Sequence, residues 1–555
     1  MDNADILIIG GGAAGAVLAA RLSEDASLRI TLVEAGQDTP PGAVPDDIAD
    51  PFPRAYANAD YFWPDIKART RSEAAPRPYL QARVMGGGSN VMGMWALRGF
   101  AADYDGWAAA GAVGWSWKDV LPYFKKLERD VDFPNDDHGT DGPVTISRIA
   151  PADWPVFTKR LAEAAGKKQL RVLPDLNATE EDGVFAMPLS IDGPNRVSSA
   201  SAYLTDAVRR RPNLRIMAKT EVRNLAFHGK KVIGAHIRRG DGNVSLIRAR
   251  EVVVSAGALQ TPALLLRSGI GNGRDLSACA INVVADIPGV GANLQNHFFV
   301  HFGTIIRAGA RQSPAVRRYG MVGVRLSSGL RDAPPADLFI SFIARTGGRS
   351  TGNRFGMVGP CLYAAASRGN VTLDPADPQG PPRVDFNALG DPRDAERLLH
   401  AARVTREFLE DEAVRAVTHE SFIIPQKLPI RFFNQPGIGS AVASTAAAAV
   451  FGMNAAVRKA ALRTMIGPGR FLSEIKSDDR FVELVLASVT PMFHVSGTCA
   501  IGTVVDSEAR VIGVEGLRVV DASIMPTLPR ANANIPTIMI AEKCAAHIAA
   551  AQRRR

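Results

Sequence analysis

The sequence predicts an α/β protein of two domains: a mostly parallel sheet that opens the chain, and an α+β unit with an antiparallel sheet in its middle. Three observations carry this. The first forty or so residues alternate strand, glycine turn, helix and strand. From about residue 300 to about 490 glycine turns of this kind stop, and alternating apolar runs replace them. After that, short strands and glycines return.

The first unit is read from its spacing. Asp5-Ile6-Leu7-Ile8-Ile9 is an apolar run that meets Gly10-Gly11-Gly12-Ala13-Ala14-Gly15, and small or apolar residues continue at helical spacing to Leu22. Ile30-Thr31-Leu32-Val33 is a second run and ends on Glu34-Ala35. The glycines read G-x-G-x-x-G. Gly10 permits the tight turn, Gly12 lets backbone approach a pyrophosphate, and Gly15 lets the helix pack close to the strand. Phosphates would meet free N–H groups and the positive dipole end at Ala13 and Ala14. Glu34 stands where a carboxylate accepts from an adenosine ribose hydroxyl. The motif alone does not distinguish FAD from NAD.

Residues 37–60 are rich in Pro, Asp and Ala and read as a surface excursion that ends in the aromatic cluster Tyr61-Phe62-Trp63-Pro64. That cluster suits either a packing anchor or an entrance wall. A second glycine turn follows, Arg83-Val84-Met85-Gly86-Gly87-Gly88-Ser89-Asn90, then Val91-Met92-Gly93-Met94-Trp95. Leu214–Met217, Thr220-Glu221-Val222, Lys231–Ile237 and Ala249–Ser255 read as strands. Ala256-Gly257-Ala258-Leu259-Gln260-Thr261-Pro262 then turns into a helix from Ala263 to Ser268, with Pro262 in its first turn. In the middle, Asp337–Ile343 and Asn370–Leu373 suit an antiparallel sheet, covered by helices near 391–410 and 442–464. Near the end, His494 sits in Phe493-His494-Val495-Ser496-Gly497, a strand ends on Asp521-Ala522, and Asn532 and Asn534 precede a last helix from Pro536 to Ala550.

Bulk composition excludes several classes. At 555 residues, 46% hydrophobic and 22% charged, the chain is expected to be a soluble globular protein of more than one domain. The net charge is +9, but the basic residues are scattered, and no stripe with interleaved aromatics points to nucleic acid. Cys279, Cys361, Cys499 and Cys544 form no C-x-x-C pair and no metal spacing, so no metal is expected and a reducing, cytoplasmic setting is. The N-terminus runs straight into the first strand, with no room for a signal peptide. Ile438 to Val457 is the most apolar long stretch, yet it is alanine-rich and holds Gly, Ser and Asn. It reads as a helix over a pocket rather than a membrane span.

Four blocks taken together resemble the glucose–methanol–choline family of FAD-dependent oxidoreductases. They are the N-terminal fingerprint, Arg83 to Gly99, Gly257-Ala258-Leu259-Gln260-Thr261-Pro262 through Gly271, and the His494, Asp521 and Asn534 segments. Within the family the chain is similar to bacterial oxidases of hydroxymethylfurfural and related aromatic alcohols. The resemblance implies a Rossmann-like FAD-binding domain built from residues 1–155, 205–305 and 490–555, and a substrate-binding domain from 156–204 and 306–489. It implies that Arg83, Val84 and the loop Gly87, Gly88, Asn90, Val91, Met92, Gly93, Met94 lie along the cofactor. Val222, Ala256, Gly257, Asp521, Ala522, Ile535 and Thr537 would complete its site. Two departures stand out. Met92 occupies a position where the family usually has Asn, and Asn296 replaces an acid in Asn293-Leu294-Gln295-Asn296-His297. Where some relatives tether FAD through a histidine, this chain has Val91, which implies non-covalent FAD.

Oxidising an alcohol requires that the hydroxyl lose its proton while the carbinol hydrogen sits close to an acceptor. Flavin N5 supplies the acceptor; a histidine suits the base because its ordinary pKa lies near neutrality. His494 is the expected base. Asn534 is the expected donor to the developing alkoxide, with Asn532 its rival. Phe493 and Trp95 are pocket candidates, Phe493 equally a core residue, and His297 and His301 read as structural. The expected reaction converts a primary aromatic or furanic alcohol to its aldehyde, with O2 or another electron carrier as acceptor. Alternatives are a choline-like, pyridoxine or aliphatic alcohol dehydrogenase, or a hydroxynitrile-lyase-type activity. The oligomeric state is not indicated.

Overall fold

The computed structural model describes residues 3–240, 242–426 and 434–554; residues 1–2, 241, 427–433 and 555, which fall within the domain ranges above, lie outside it. The first sheet has the strand order Leu214–Met217, Ile30–Val33, Asn3–Ile9, Val244–Val254, Lys231–Arg239, Thr220–His228, with Leu517–Val519 also paired to Val244–Val254. Its first four strands and Leu517–Val519 are parallel. The last two turn antiparallel. Ile6, Leu7 and Ile8 are fully buried in succession rather than alternately, as expected of a strand covered on both faces. Helix Ala13–Leu22 packs on this sheet and against the last helix, Asn534–Arg553. Arg21 Nη2 reaches the buried Glu542 carboxylate at 2.8 Å, and Tyr203 donates to the same oxygen.

The helix of the Gly257-to-Gly271 block, the signature helix below, begins earlier than its sequence suggests, at Gly257, and runs to Arg267 with Pro262 inside it. Proline has no N–H to give the carbonyl four residues back. That carbonyl, Ala258 O, instead accepts from Thr498 Oγ1 at 2.7 Å. A distant segment thus supplies the bond that lets the helix pass through a proline.

The second sheet is antiparallel through Thr418–Ile423, Phe302–Ile306, Phe355–Leu362, Leu338–Ile343, Val322–Leu326 and Gly183–Ala186. Helix Pro392–Glu410 covers it, with Phe408 edge-on to Phe342. Asn370–Thr372 does not join it. It pairs with Arg383–Asp385, in a small sheet that also takes Lys67–Arg69 from the surface excursion. The single helix expected at 442–464 is two, Ile438–Phe451 and Ala455–Ile466, because Gly452 ends the first and the Asn454 side chain caps the second by accepting from Val457 N. Among the described residues no helix is long and apolar enough to cross a membrane, and all four cysteines are free and buried.

One buried charge cluster lies outside the cavity described below. His138 Nε2 meets Asp175 at 2.6 Å and its Nδ1 meets Glu128 at 2.9 Å, with Arg98 and Arg148 completing the group. Burial opposes the charged ring, but Asp175 and Glu128 outweigh it and raise its pKa to about 9. A raised pKa stabilises the fold fully below the unfolded value and loses that contribution as pH rises through the folded one. The melting temperature of the wild-type protein should therefore fall between roughly pH 7 and 9.5 more steeply than that of His138→Gln, a comparison thermal scans at stepped pH will make.

Candidate functional site

Four parallel strands end side by side. Their last turns carry Gly10, Glu34, Ser255 and Asp521, all on the wall of one cavity of about 1280 Å³ that reaches across to the second sheet. Ligands of open parallel sheets bind at such carboxyl ends. Gly10 has φ of +99°, and a Cβ there would lie 2.5 Å from Ser255 O, so the turn admits only glycine. A Cβ on Gly12 would meet no protein atom, because that face is cavity. Ala13 and Ala14 open the helix toward the same space.

The acids do more than the sequence indicates. Glu34 Oε2 accepts from Gly11 N and Oε1 from Gly36 N, both at 2.7 Å, so the carboxylate ties together two glycine turns at the cavity wall. Burial pushes its pKa up against those two bonds. Asp521 Oδ2 accepts from Gly257 N at 2.8 Å and Thr261 Oγ1 at 2.6 Å, and its Oδ1 from Ser523 N at 2.7 Å. It fastens the C-terminal segment to the signature helix.

Most of the residues anticipated from sequence line the cavity: Gly10, Gly12, Ala13, Ala14, Glu34, Ala35, Arg83, Val84, Gly87, Gly88, Met92, Gly93, Val222, Ala256, Gly257, Asp521, Ala522, Thr537, Phe493, Trp95, His494 and Asn534. Five do not. Gly15 lies within the helix on its strand-facing side, its Cβ position 1.8 Å from Gly10 O. Asn90 is buried, donating to Met85 O at 2.6 Å. Val91, Met94 and Ile535 are side chains of three different hydrophobic clusters. The aromatic cluster divides: Tyr61 and Phe62 are anchors, while Trp63 faces the cavity with the Arg83 guanidinium 4.8 Å from its ring. The alanine-rich helix Ile438–Phe451 contributes no cavity-lining residue; its Ser444 and Phe451 pack it to the second sheet's end instead.

Residues 295–299 run antiparallel to 490–496, with Gln295 opposite Ser496 and Phe298 opposite Pro491. This register brings His297 across from His494. His494 Nδ1 and His297 Nδ1 are 2.9 Å apart. His494 Nε2 is 2.9 Å from Asn532 Nδ2, and Tyr363 O–H donates to Asn532 Oδ1 at 2.9 Å. The residue beside His494 is thus Asn532, not Asn534. Asn534 is the first residue of the last helix and only lines the cavity. Burial pushes the His494 pKa down to about 4. The Asn296 departure also finds its reason. Its Oδ1 accepts from His297 N and His494 N, at 2.9 and 3.1 Å, while its Nδ2 donates to Met492 O at 2.5 Å. A carboxylate would lack that last donor.

FAD fits these residues. Two buried polar atoms on the cavity side, Arg83 Nε and Ser255 Oγ, have no protein partner. The Gly12 face is open to a pyrophosphate, and the helix N-terminus beside it favours negative charge.

Comparison with known proteins follows the same lines. Two profiles described as GMC oxidoreductase match residues 4–299 and 365–541. The 5-(hydroxymethyl)furfural oxidase of Methylovorus sp. (strain MP688) is 38% identical over 98% of each chain. An oxygen-dependent choline dehydrogenase of Brucella anthropi is 32% identical over 98% of this chain and 95% of its own. Among solved structures, pyridoxine 4-oxidase from Mesorbium loti superposes with a TM-score of 0.80 at 27% identity, covering 98% of this chain and 99% of that one.

Proposed function

The chain belongs to the GMC oxidoreductase family, flavoproteins acting on CH–OH donors, and from that premise we propose that it oxidises a primary alcohol on an aromatic or furan ring to the aldehyde. The observation that carries this is the pair His494 Nε2 and Asn532 Nδ2, 2.9 Å apart on the cavity wall among aromatic side chains. Phe493, next to His494 and edge-on to Tyr56, and Trp63, Trp95 and Tyr319 line the same cavity and offer flat apolar surface to a ring.

When bound, FAD would supply the hydride acceptor, with oxygen the electron acceptor that the oxidase relatives suggest. The residues of Gly10 to Ala14, with Glu34, Arg83 and Ser255, would hold it. Val91 carries no nucleophile and points into a core cluster, which supports non-covalent binding.

The chain's own part is to bind, orient and deprotonate. Asn532 Nδ2 donates to the bare Nε2 of His494 in the resting pair, so an alcohol oxygen entering between them meets a donor on one side and a base on the other. Tyr363 fixes the amide so that Nδ2, not Oδ1, faces the histidine. The alcohol's proton goes to His494 Nε2.

The test is anaerobic. Purified yellow protein is mixed with hydroxymethylfurfural, benzyl alcohol, pyridoxine and choline, and flavin absorbance is followed before and after air is admitted. Bleaching by a ring alcohol and fast recovery with peroxide in air is expected. Bleaching by choline alone, or by none of them, overturns the substrate class, and slow recovery overturns oxygen as acceptor. In the same assay Asn532→Ala should slow bleaching by about 10²-fold, the loss typical of one oxyanion donor, and Asn534→Ala by much less. The reverse order would return the donor role to Asn534.

A further inference from the structure

His494 presents a problem that the site as described leaves open. An enclosed imidazole with its pKa lowered by burial is a reluctant proton acceptor, and nothing charged touches it to help. Its Nδ1 has one partner, His297 Nδ1, at 2.9 Å with the two rings at 85°. Two nitrogens at that distance share one proton, so one ring donates and the other accepts. The surroundings decide which. Asn532 Nδ2 is a donor aimed at His494 Nε2, which leaves that nitrogen bare and the proton of His494 on Nδ1. On His297, Nε2 has no hydrogen-bond partner, and Nδ1 faces the Nδ1–H of His494. His297 Nδ1 is therefore the acceptor.

The His297 ring cannot turn away. It stacks on Tyr363 at 4.4 Å with 10° between planes, and Tyr363 stacks on Phe339 at 4.9 Å. Its backbone is held on both sides, by Asn296 Oδ1 and by Met492 N.

We propose that His297 is a positioning residue for alcohol oxidation: its Nδ1 accepts the Nδ1–H of His494, fixes the tautomer whose bare Nε2 faces the cavity, and stabilises the imidazolium that forms there. In the step itself the alcohol O–H bond breaks, the Nε2–H bond forms, and the electron pair stays on the alcohol oxygen. The Nδ1 proton remains on His494, where its bond to His297 becomes charge-assisted and shortens. A neutral histidine thus does what a carboxylate does in a serine-protease triad, orienting a base through its far nitrogen. Tyr363 serves both ends, its hydroxyl setting the Asn532 amide and its face setting His297. The inference rests on His494 as the base.

Two measurements test it. The first needs no substrate: ¹⁵N NMR of the histidine-labelled holoenzyme, with His494 assigned by its absence in His494→Gln. The expected spectrum has His494 protonated on Nδ1; protonation on Nε2 overturns the proposal whatever the kinetics. The second compares His297→Leu with His297→Asn, whose side-chain oxygen can still accept. His297→Leu should slow anaerobic flavin bleaching by about 10²-fold at saturating alcohol while the alcohol's apparent Kd changes by less than about threefold. His297→Asn should recover to within about tenfold of wild type. Equal rates for the two variants, both high or both low, overturn the proposal, the second case marking a merely structural ring. If neither variant retains FAD, the tautomer decides. Retained turnover in His494→Ala would sink the base assignment instead, whichever tautomer the wild-type ring shows.

Discussion

His494→Ala is expected to keep its FAD and lose alcohol oxidation by about 10²- to 10⁴-fold, the range over which a positioned base contributes. The side chain touches Asn532 and His297 but takes no part in the glycine turns that hold the cofactor, so the yellow colour and melting temperature should survive. Rapid anaerobic mixing with the best alcohol reads the rate directly. The pH profile of kcat/KM adds a sharper check. With burial holding its pKa at about 4, His494 is bare throughout the neutral range, and the acid limb should lie well below the ordinary histidine value near 6.5. A variant that turns over at the wild-type rate would remove His494 from the chemistry.

Gly15→Ala is expected to abolish FAD binding and to lower stability by on the order of 2 kcal/mol, as overpacking a tight contact does. The added Cβ would lie 1.8 Å from Gly10 O and 3.0 Å from Gly10 C, and neither is the movable end of a side chain. The helix must lift from the strand, and its N-terminal N–H groups leave the cavity wall. Gly12→Ala provides the contrast. Its Cβ meets no protein atom, so the apoprotein should fold as well as wild type, while the methyl group occupies the space a pyrophosphate needs. Flavin-to-protein absorbance ratios after gel filtration, together with thermal melts, separate the two. Wild-type flavin content in both variants would mean that this turn does not hold the cofactor.

The parts legible in the sequence were those governed by neighbours. Ile30–Val33 is legible to the residue, because a strand buried on both faces is a near-continuous apolar run and needs no partner to be recognised. The glycines of the first turn were equally plain, since their reason is local geometry. Illegible were features set by residues far apart. Asn532 and Asn534 differ by two positions on the approach to one helix, and only the fold determines which turns toward His494. His297 looked structural because its partner lies 197 positions away. Pro262 suggested a helix start because the bond that replaces its missing donor comes from Thr498. The break at Gly452 was locally available, but the alanine-rich composition around it masked the cap at Asn454.

The Thr498–Ala258 bond also bears on how the protein folds. Asp521 closes on Gly257 and Thr261, Leu517–Val519 pairs beside Val244–Val254, and Glu542 meets Arg21 across 521 positions. These contacts join positions 240 to 521 residues apart. Such separations place the closing of the carboxyl-end wall in the slow, non-local regime of folding. The glycine turns rest on neighbouring residues, whereas the wall that Asp521 closes needs these distant segments in place together.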